Sequence, residues 1–166
     1  ILSTPLESTL FVHSSLGNVA VRFDKLSLFF LGIIQTGGIV SSLYGIGYLS
    51  HYENRRTLKP TLTATAVLFL SMQILAVANH VFLFLVAWEL MALSGYLGIV
   101  LEREDKQVQR GSFIFFVATH VGTLFLYSMF LLLHQQSNSW EFSVFDSHTF
   151  PPALVPVIFW IGFTGF

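Results

Sequence analysis

Glu89 is the only charged residue in the apolar stretch 82–101 (FLFLVAWELMALSGYLGIVL). About 20 apolar residues suffice to cross a bilayer, so this stretch reads as a membrane span. A charged side chain at that depth is costly, which makes an intramembrane acid a functional-site hypothesis by default. His120 lies in a second such stretch, 111–134 (GSFIFFVATHVGTLFLYSMFLLLH). At 1.5 Å per residue Glu89 is about 10 Å from the start of its span, and His120 is roughly 14 Å from the start of its own. A short loop joins the two spans and makes them antiparallel neighbours. Both groups are therefore expected near the midplane at similar depth. A low dielectric disfavours the charged form of an acid and of a base alike, which suits a site that takes up and releases protons. Tyr96, Thr119 and Thr123 are expected to help order water between them.

The same residues have plainer readings. A membrane Glu can be a hydrogen-bonding anchor between helices, and a membrane His a satisfied polar contact. Trp88 and the many Phe residues read as packing or lipid-facing groups. His80 and His134 fall at span ends, where an interfacial His is ordinary. Residues 102–106 (EREDK) read as a solvated loop.

Four spans and the start of a fifth must position these groups: about 26–49 (A), 60–78 (B), 82–101 (C), 111–134 (D), and a fifth from about residue 153 (E). Gly32, Gly37, Gly38, Gly45 and Gly47 give span A small residues suited to close helix contact. Pro60 is expected in the first turn of span B. Before span A, residues 10–13 and 19–23 have strand character and flank the turn-like 14–18. The expected fold is an all-α polytopic membrane protein with four complete helices, a truncated fifth and an N-terminal extracytoplasmic β-hairpin. Its expected organisation is a hairpin over 1–25 and a transmembrane segment over 26–166.

Composition supports that class. The 166 residues are 54% hydrophobic and 10% charged, with 18 Phe, against roughly 25% charged in a soluble domain. A net charge of −1 without a basic patch gives no reason to expect nucleic acid. The absence of cysteine excludes disulfides, cysteine-ligated iron–sulfur clusters and cysteine-based zinc sites from this segment. Arg55, Arg56 and Lys59 fall between spans A and B, and Arg103, Lys106 and Arg110 between C and D. The positive-inside rule then makes those loops cytoplasmic. The hairpin, the B–C turn and the D–E loop (about 135–152) face outward, with Arg22 and Lys25 as exceptions. The chain starts at Ile1 and stops inside an apolar run, as expected of an internal piece of a larger protein.

The string VFLFLVAWELMALSGYLGIV, with Trp88-Glu89 after an apolar run, resembles the fifth transmembrane helix of the antiporter-like subunits. These occur in respiratory NADH:quinone oxidoreductase, Mrp antiporters and group 4 hydrogenases. FDKLSLFFLGIIQTGGIVSSLYGIGYL is similar to the third helix and the hairpin before it, and GSFIFFVATHVGTLFLYSMFLLLH to the sixth. The resemblance places the family's key glutamate on Glu89. It implies a lysine partner on the broken seventh helix, here beyond residue 166. In the respiratory complexes a basic residue and an acid often stand near the positions of His120 and Thr123. His120-Val121-Gly122-Thr123 looks closer to the hydrogenase-4 and formate hydrogenlyase type.

The resemblance implies a proton-translocating, multi-pass subunit of a multisubunit redox complex in the cytoplasmic membrane of a prokaryote. It implies no cofactor on this chain, and as partners other membrane subunits, a peripheral redox arm and the lipid bilayer. A cation/proton antiporter subunit and a structural membrane anchor are the alternatives.

Overall fold

The structure, a computed structural model, describes residues 6–14, 17–49, 55–100 and 106–166. Strands β1 (Leu6–Ser14) and β2 (Gly17–Phe23) pair antiparallel, with Leu6 opposite Phe23 and Leu10 opposite Val19. Six helices follow among the described residues: α1 (Lys25–Leu49), α2 (Arg55–Val77), α3 (Val81–Val100), α4 (Lys106–Ser137), α5 (Phe142–Ser147) and α6 (Val155–Gly165). Among the described residues, four helices are long and apolar enough to cross a membrane. They correspond to spans A to D.

Asp24 starts α1. The Ser27 N–H donates to its carboxylate at 2.7 Å, and the Leu28 N–H donates to its carbonyl at 3.0 Å. This is an N-cap arrangement. The Ser27 N–H bond holds the Asp24 carboxyl below the usual carboxylate range. The cap's contribution is therefore complete above the ordinary carboxylate pKa and is lost as pH falls through the lowered one.

Helix boundaries differ from the hydropathy boundaries. α2 begins at Arg55, so Pro60 stands inside the helix rather than in its first turn. α4 begins at Lys106 and ends at Ser137. Its 32 residues extend about 48 Å, against roughly 30 Å of hydrocarbon. Lys106 and Arg110, expected in a loop, occupy the first turns of α4 instead. The reason is physical: Lys, Gln and Arg are good helix formers, so leaving the lipid does not end a helix. Arg103 lies outside the described residues. The expected D–E loop also contains helix α5.

One end of the bundle is tied together by the turn between α2 and α3. Asn79, 4% exposed, receives the Ser143 N–H on its Oδ1 at 3.2 Å and donates its Nδ2 to Ser143 Oγ at 3.3 Å. Its backbone donates to the Ala20 carbonyl and accepts from the Phe142 N–H, and the Val81 N–H donates to the Trp140 carbonyl. A three-residue turn (78–80) therefore joins β2, α3 and the segment leading into α5. Asn138 closes α4 in the left-handed region (φ 54°), with its N–H donating to the His134 carbonyl. His134 then stacks on Trp140 at 3.9 Å and bonds the Ser139 carbonyl through Nδ1. Beneath this clamp Val81, Leu85, Leu126, Met129 and Phe130 form the core, with Phe84 in ring contact with Trp88, Phe130, Phe142 and Phe166.

The glycine contacts fall elsewhere than expected. A Cβ on Gly32 or Gly37 of α1 would meet nothing within 4 Å, and one on Gly38 would meet only the Phe69 ring at 3.6 Å. The close approach is between α4 and α6. A Cβ on Gly122 would lie 2.8 Å from the Gly165 carbonyl oxygen, and one on Gly165 would lie 3.0 Å from the Leu126 nitrogen. Both obstacles are backbone and cannot swing aside. Gly122→Ala is therefore expected to destabilise the full-length protein by about 1–3 kcal/mol through overpacking. Gly37→Ala, with open space around it, is expected to be neutral or slightly stabilising. Thermal melts of the two variants in detergent should separate them, and equal melting temperatures would contradict the α4–α6 contact.

Candidate functional site

Glu89 stands about 12 Å along α3 from Val81, and His120 about 21 Å along α4 from Lys106. The antiparallel helices bring the two side chains together: His120 Nε2 lies 3.4 Å from Glu89 Oε2. The residue spacing places the two groups at one level of the helix pair, and the structure adds that their side chains face each other. At 3.4 Å the contact is an ion-pair distance and the long edge of a hydrogen bond. The Glu89 side chain is 25% exposed and that of His120 36%. The pair is thus packed on one side and open on another.

His120 is oriented from its own helix. Its Nδ1 lies 2.8 Å from the Phe116 carbonyl oxygen. A carbonyl only accepts, so that bond requires the proton on Nδ1. In the neutral imidazole Nε2 then carries a lone pair directed at Glu89. A proton on the carboxyl can pass to Nε2 without a change of tautomer. Such a transfer would connect neutral acid plus neutral imidazole with carboxylate plus imidazolium, at constant net charge.

The supporting residues divide. Thr119 Oγ1 donates to the Phe115 and Phe116 carbonyls, and the buried Thr123 Oγ1 donates to the Thr119 carbonyl. Both hydroxyl protons are used within α4, so only the oxygens can accept from a water. Tyr96 packs its ring on Phe116 at 5.0 Å, and Phe116 packs on the His120 ring at 4.1 Å. Tyr96 thus connects to the pair through Phe116, a residue the sequence reading did not single out. Trp88 is a packing residue against Phe84 and Phe166, and its Nε1 is buried without a hydrogen-bond partner among the described residues. His80 is buried in the clamp, its Nδ1 accepting the Phe82 N–H, and not at a solvated interface.

Among the described residues, four helices apolar enough to cross a membrane, with an acid and a histidine paired across two of them, make this a multi-pass membrane protein. The chain belongs to the family described as NADH:quinone oxidoreductase/Mrp antiporter, transmembrane, which matches residues 78–161, just over half of its length. It is 30% identical over 149 residues to hydrogenase-4 component B of Escherichia coli, covering 90% of this chain and 22% of that protein. It is 33% identical over 118 residues to the antiporter subunit mnhA2 of Staphylococcus epidermidis, covering 70% of this chain and 14% of that protein. Among solved structures, the membrane-bound sulfane sulfur reductase, an archaeal respiratory membrane complex, contains a chain that superposes with a TM-score of 0.71 at 15% identity. That match covers 98% of this chain and 26% of that one, and at this identity it speaks to fold alone. The chain spans about a fifth or less of the length of these curated relatives.

The contact predicts energetic coupling. In a double-mutant cycle of Glu89→Gln and His120→Gln in the full-length protein, the interaction energy should fall within about 0.5–3 kcal/mol. Additive effects on thermal stability would mean that the two side chains do not meet.

Proposed function

We propose that this chain is part of a proton-translocating membrane subunit of a multisubunit redox complex of the hydrogenase-4 kind, with Glu89 and His120 as its proton-loading pair. The observation that carries the reading is the 3.4 Å approach of His120 Nε2 to Glu89 Oε2 between two apolar helices. The likeness to hydrogenase-4 component B supports the redox-complex assignment. Tyr96, Thr119 and Thr123 line the neighbourhood of the pair and assist by accepting from water or by packing. The chain itself carries no redox centre in this reading. Electron transfer takes place in a peripheral arm, and further membrane subunits cover the open side of the pair.

The basic residues give the orientation. The N-terminal turns of α2 and α4, with Arg55, Arg56, Lys59, Lys106 and Arg110, lie on the cytoplasmic side of a prokaryotic inner membrane. The hairpin domain (1–25), the α2–α3 turn and the α5 segment lie outside, with 26–166 as the membrane domain. Their hydrogen bonds to one another support placement on a common side. Single cysteines at Lys106 and Asp146 should accept a membrane-impermeant maleimide from opposite sides, with Asp146 reacting in intact spheroplasts. Labelling of Lys106 instead would reverse the orientation.

The likeness to mnhA2 supports a second reading, a cation/proton antiporter subunit that uses the same pair without a redox partner. Glu89→Gln tests what both share. Gln keeps the volume and hydrogen bonding but neither binds a proton nor carries charge. In inverted vesicles with the assembled full-length protein, this variant should lose most proton transport while assembly is preserved. Normal transport would remove Glu89 from the mechanism and favour a structural anchor. Transport driven by electron donor distinguishes the first reading, and transport driven by an imposed sodium gradient the second.

A further inference from the structure

We infer that Phe116 is the positioning residue of the pair: its carbonyl and its ring together hold the His120 imidazole with Nε2 toward Glu89. This rests on the reading of Glu89 and His120 as the proton-loading pair.

Three observations converge on one residue. The Phe116 carbonyl takes the Nδ1 proton of His120 at 2.8 Å. The Phe116 ring lies on the imidazole at a centroid distance of 4.1 Å and an interplanar angle of 39°. Tyr96, on the facing helix, packs against the same ring at 5.0 Å. The carbonyl fixes which nitrogen carries the proton, but a single hydrogen bond leaves the ring free to rock about it. The aromatic contact removes that freedom, and Tyr96 keeps the Phe116 ring from turning away. The imidazole is therefore held at two points, and its remaining nitrogen has one direction in which to exchange a proton.

Position adds a consequence. Phe116 is one helical turn from His120, and Tyr96 two turns from Glu89, both toward the face of the bundle where α3 ends and α4 begins. The two rings stand between the pair and that face. The titratable side chains at this level are Glu89 and Tyr96 on α3 and His120 on α4. α6 carries none; α2, which packs on α3, carries Arg55, Arg56 and Lys59 in its first turns, and Lys106 and Arg110 begin α4; the acidic groups near α5, Glu141 and Asp146, lie at the opposite end. Among the described residues, a change in the pH dependence caused by altering Phe116 therefore reports on Glu89, His120 or Tyr96, whose ring touches that of Phe116.

The test uses two variants of the full-length protein in its assembled complex. Phe116→Leu keeps the carbonyl and the apolar bulk but removes the ring face. Phe116→Tyr keeps the ring. Proton transport in inverted vesicles is followed with a pH-sensitive dye over a pH series and normalised to assembled complex. Phe116→Leu should lower transport by about tenfold, equivalent to roughly 1.4 kcal/mol on the rate-limiting step, and displace the pH optimum. Phe116→Tyr should restore both to near the parent values. Unchanged transport and pH profile in Phe116→Leu would overturn the inference. Equal losses in both variants with the parent pH profile would overturn it too, since that is the signature of packing alone. If Glu89→Gln transports normally, the reading of the pair itself fails, whatever Phe116 does. If Glu89→Gln is inactive while Phe116→Leu matches the parent in transport and pH profile, only the positioning role fails.

Discussion

A carboxyl group in the middle of an apolar helix needs a partner, and Glu89 finds it in His120. The cost of a lone charge in hydrocarbon makes this contact a constraint on the helices around it. α3 and α4 must run antiparallel, in a register that puts Glu89 and His120 at one depth. The 3.4 Å separation meets that requirement. The Nδ1 bond to the Phe116 carbonyl adds chemical direction, because it leaves Nε2 as the nitrogen that faces the acid. A pair arranged this way can relocate a proton without creating net charge, which lowers the electrostatic cost of doing so inside a membrane.

Two devices keep the register. At one end, Asn79 and its neighbours bond the start of α3 to β2 and to the segment before α5, while Asn138 and His134 fix where α4 stops. Deeper in the bundle, Gly122 and Gly165 let α6 lie against α4 at backbone distance, two residues from His120. Polar bonds hold the ends, where backbone groups leave regular structure and must be satisfied. Close backbone contact does the work within the apolar region, where water-driven burial gives helices little reason to associate.

Much of this was legible in the chain, and the limits have physical causes. Glu89 stood out because one charge in a long apolar run has few ordinary explanations. His120 followed from counting residues along two spans of known rise. The four spans were visible because hydropathy reports lipid contact. Helix ends were not, since Lys106–Arg110 and the first turn of α2 continue as helix outside the apolar stretch. α5 could not be anticipated from six residues, FSVFDS, whose helix depends on the packing of Phe142 and Phe145 against the core. Phe116 is one of 18 Phe residues, and nothing in its type marks it out. Only its place one turn before a histidine could have drawn attention. The glycines of α1 drew attention by number, but number does not say which helix face has a neighbour.

The most direct test of a proton-loading pair is an infrared difference spectrum of the full-length protein, recorded as transport is switched on. A protonated-carboxyl band that changes on turnover, shifts in heavy water and disappears in Glu89→Gln is the predicted result, together with an imidazole band that disappears in His120→Gln. A difference spectrum in which neither band depends on Glu89 or His120, while transport proceeds, would contradict the account.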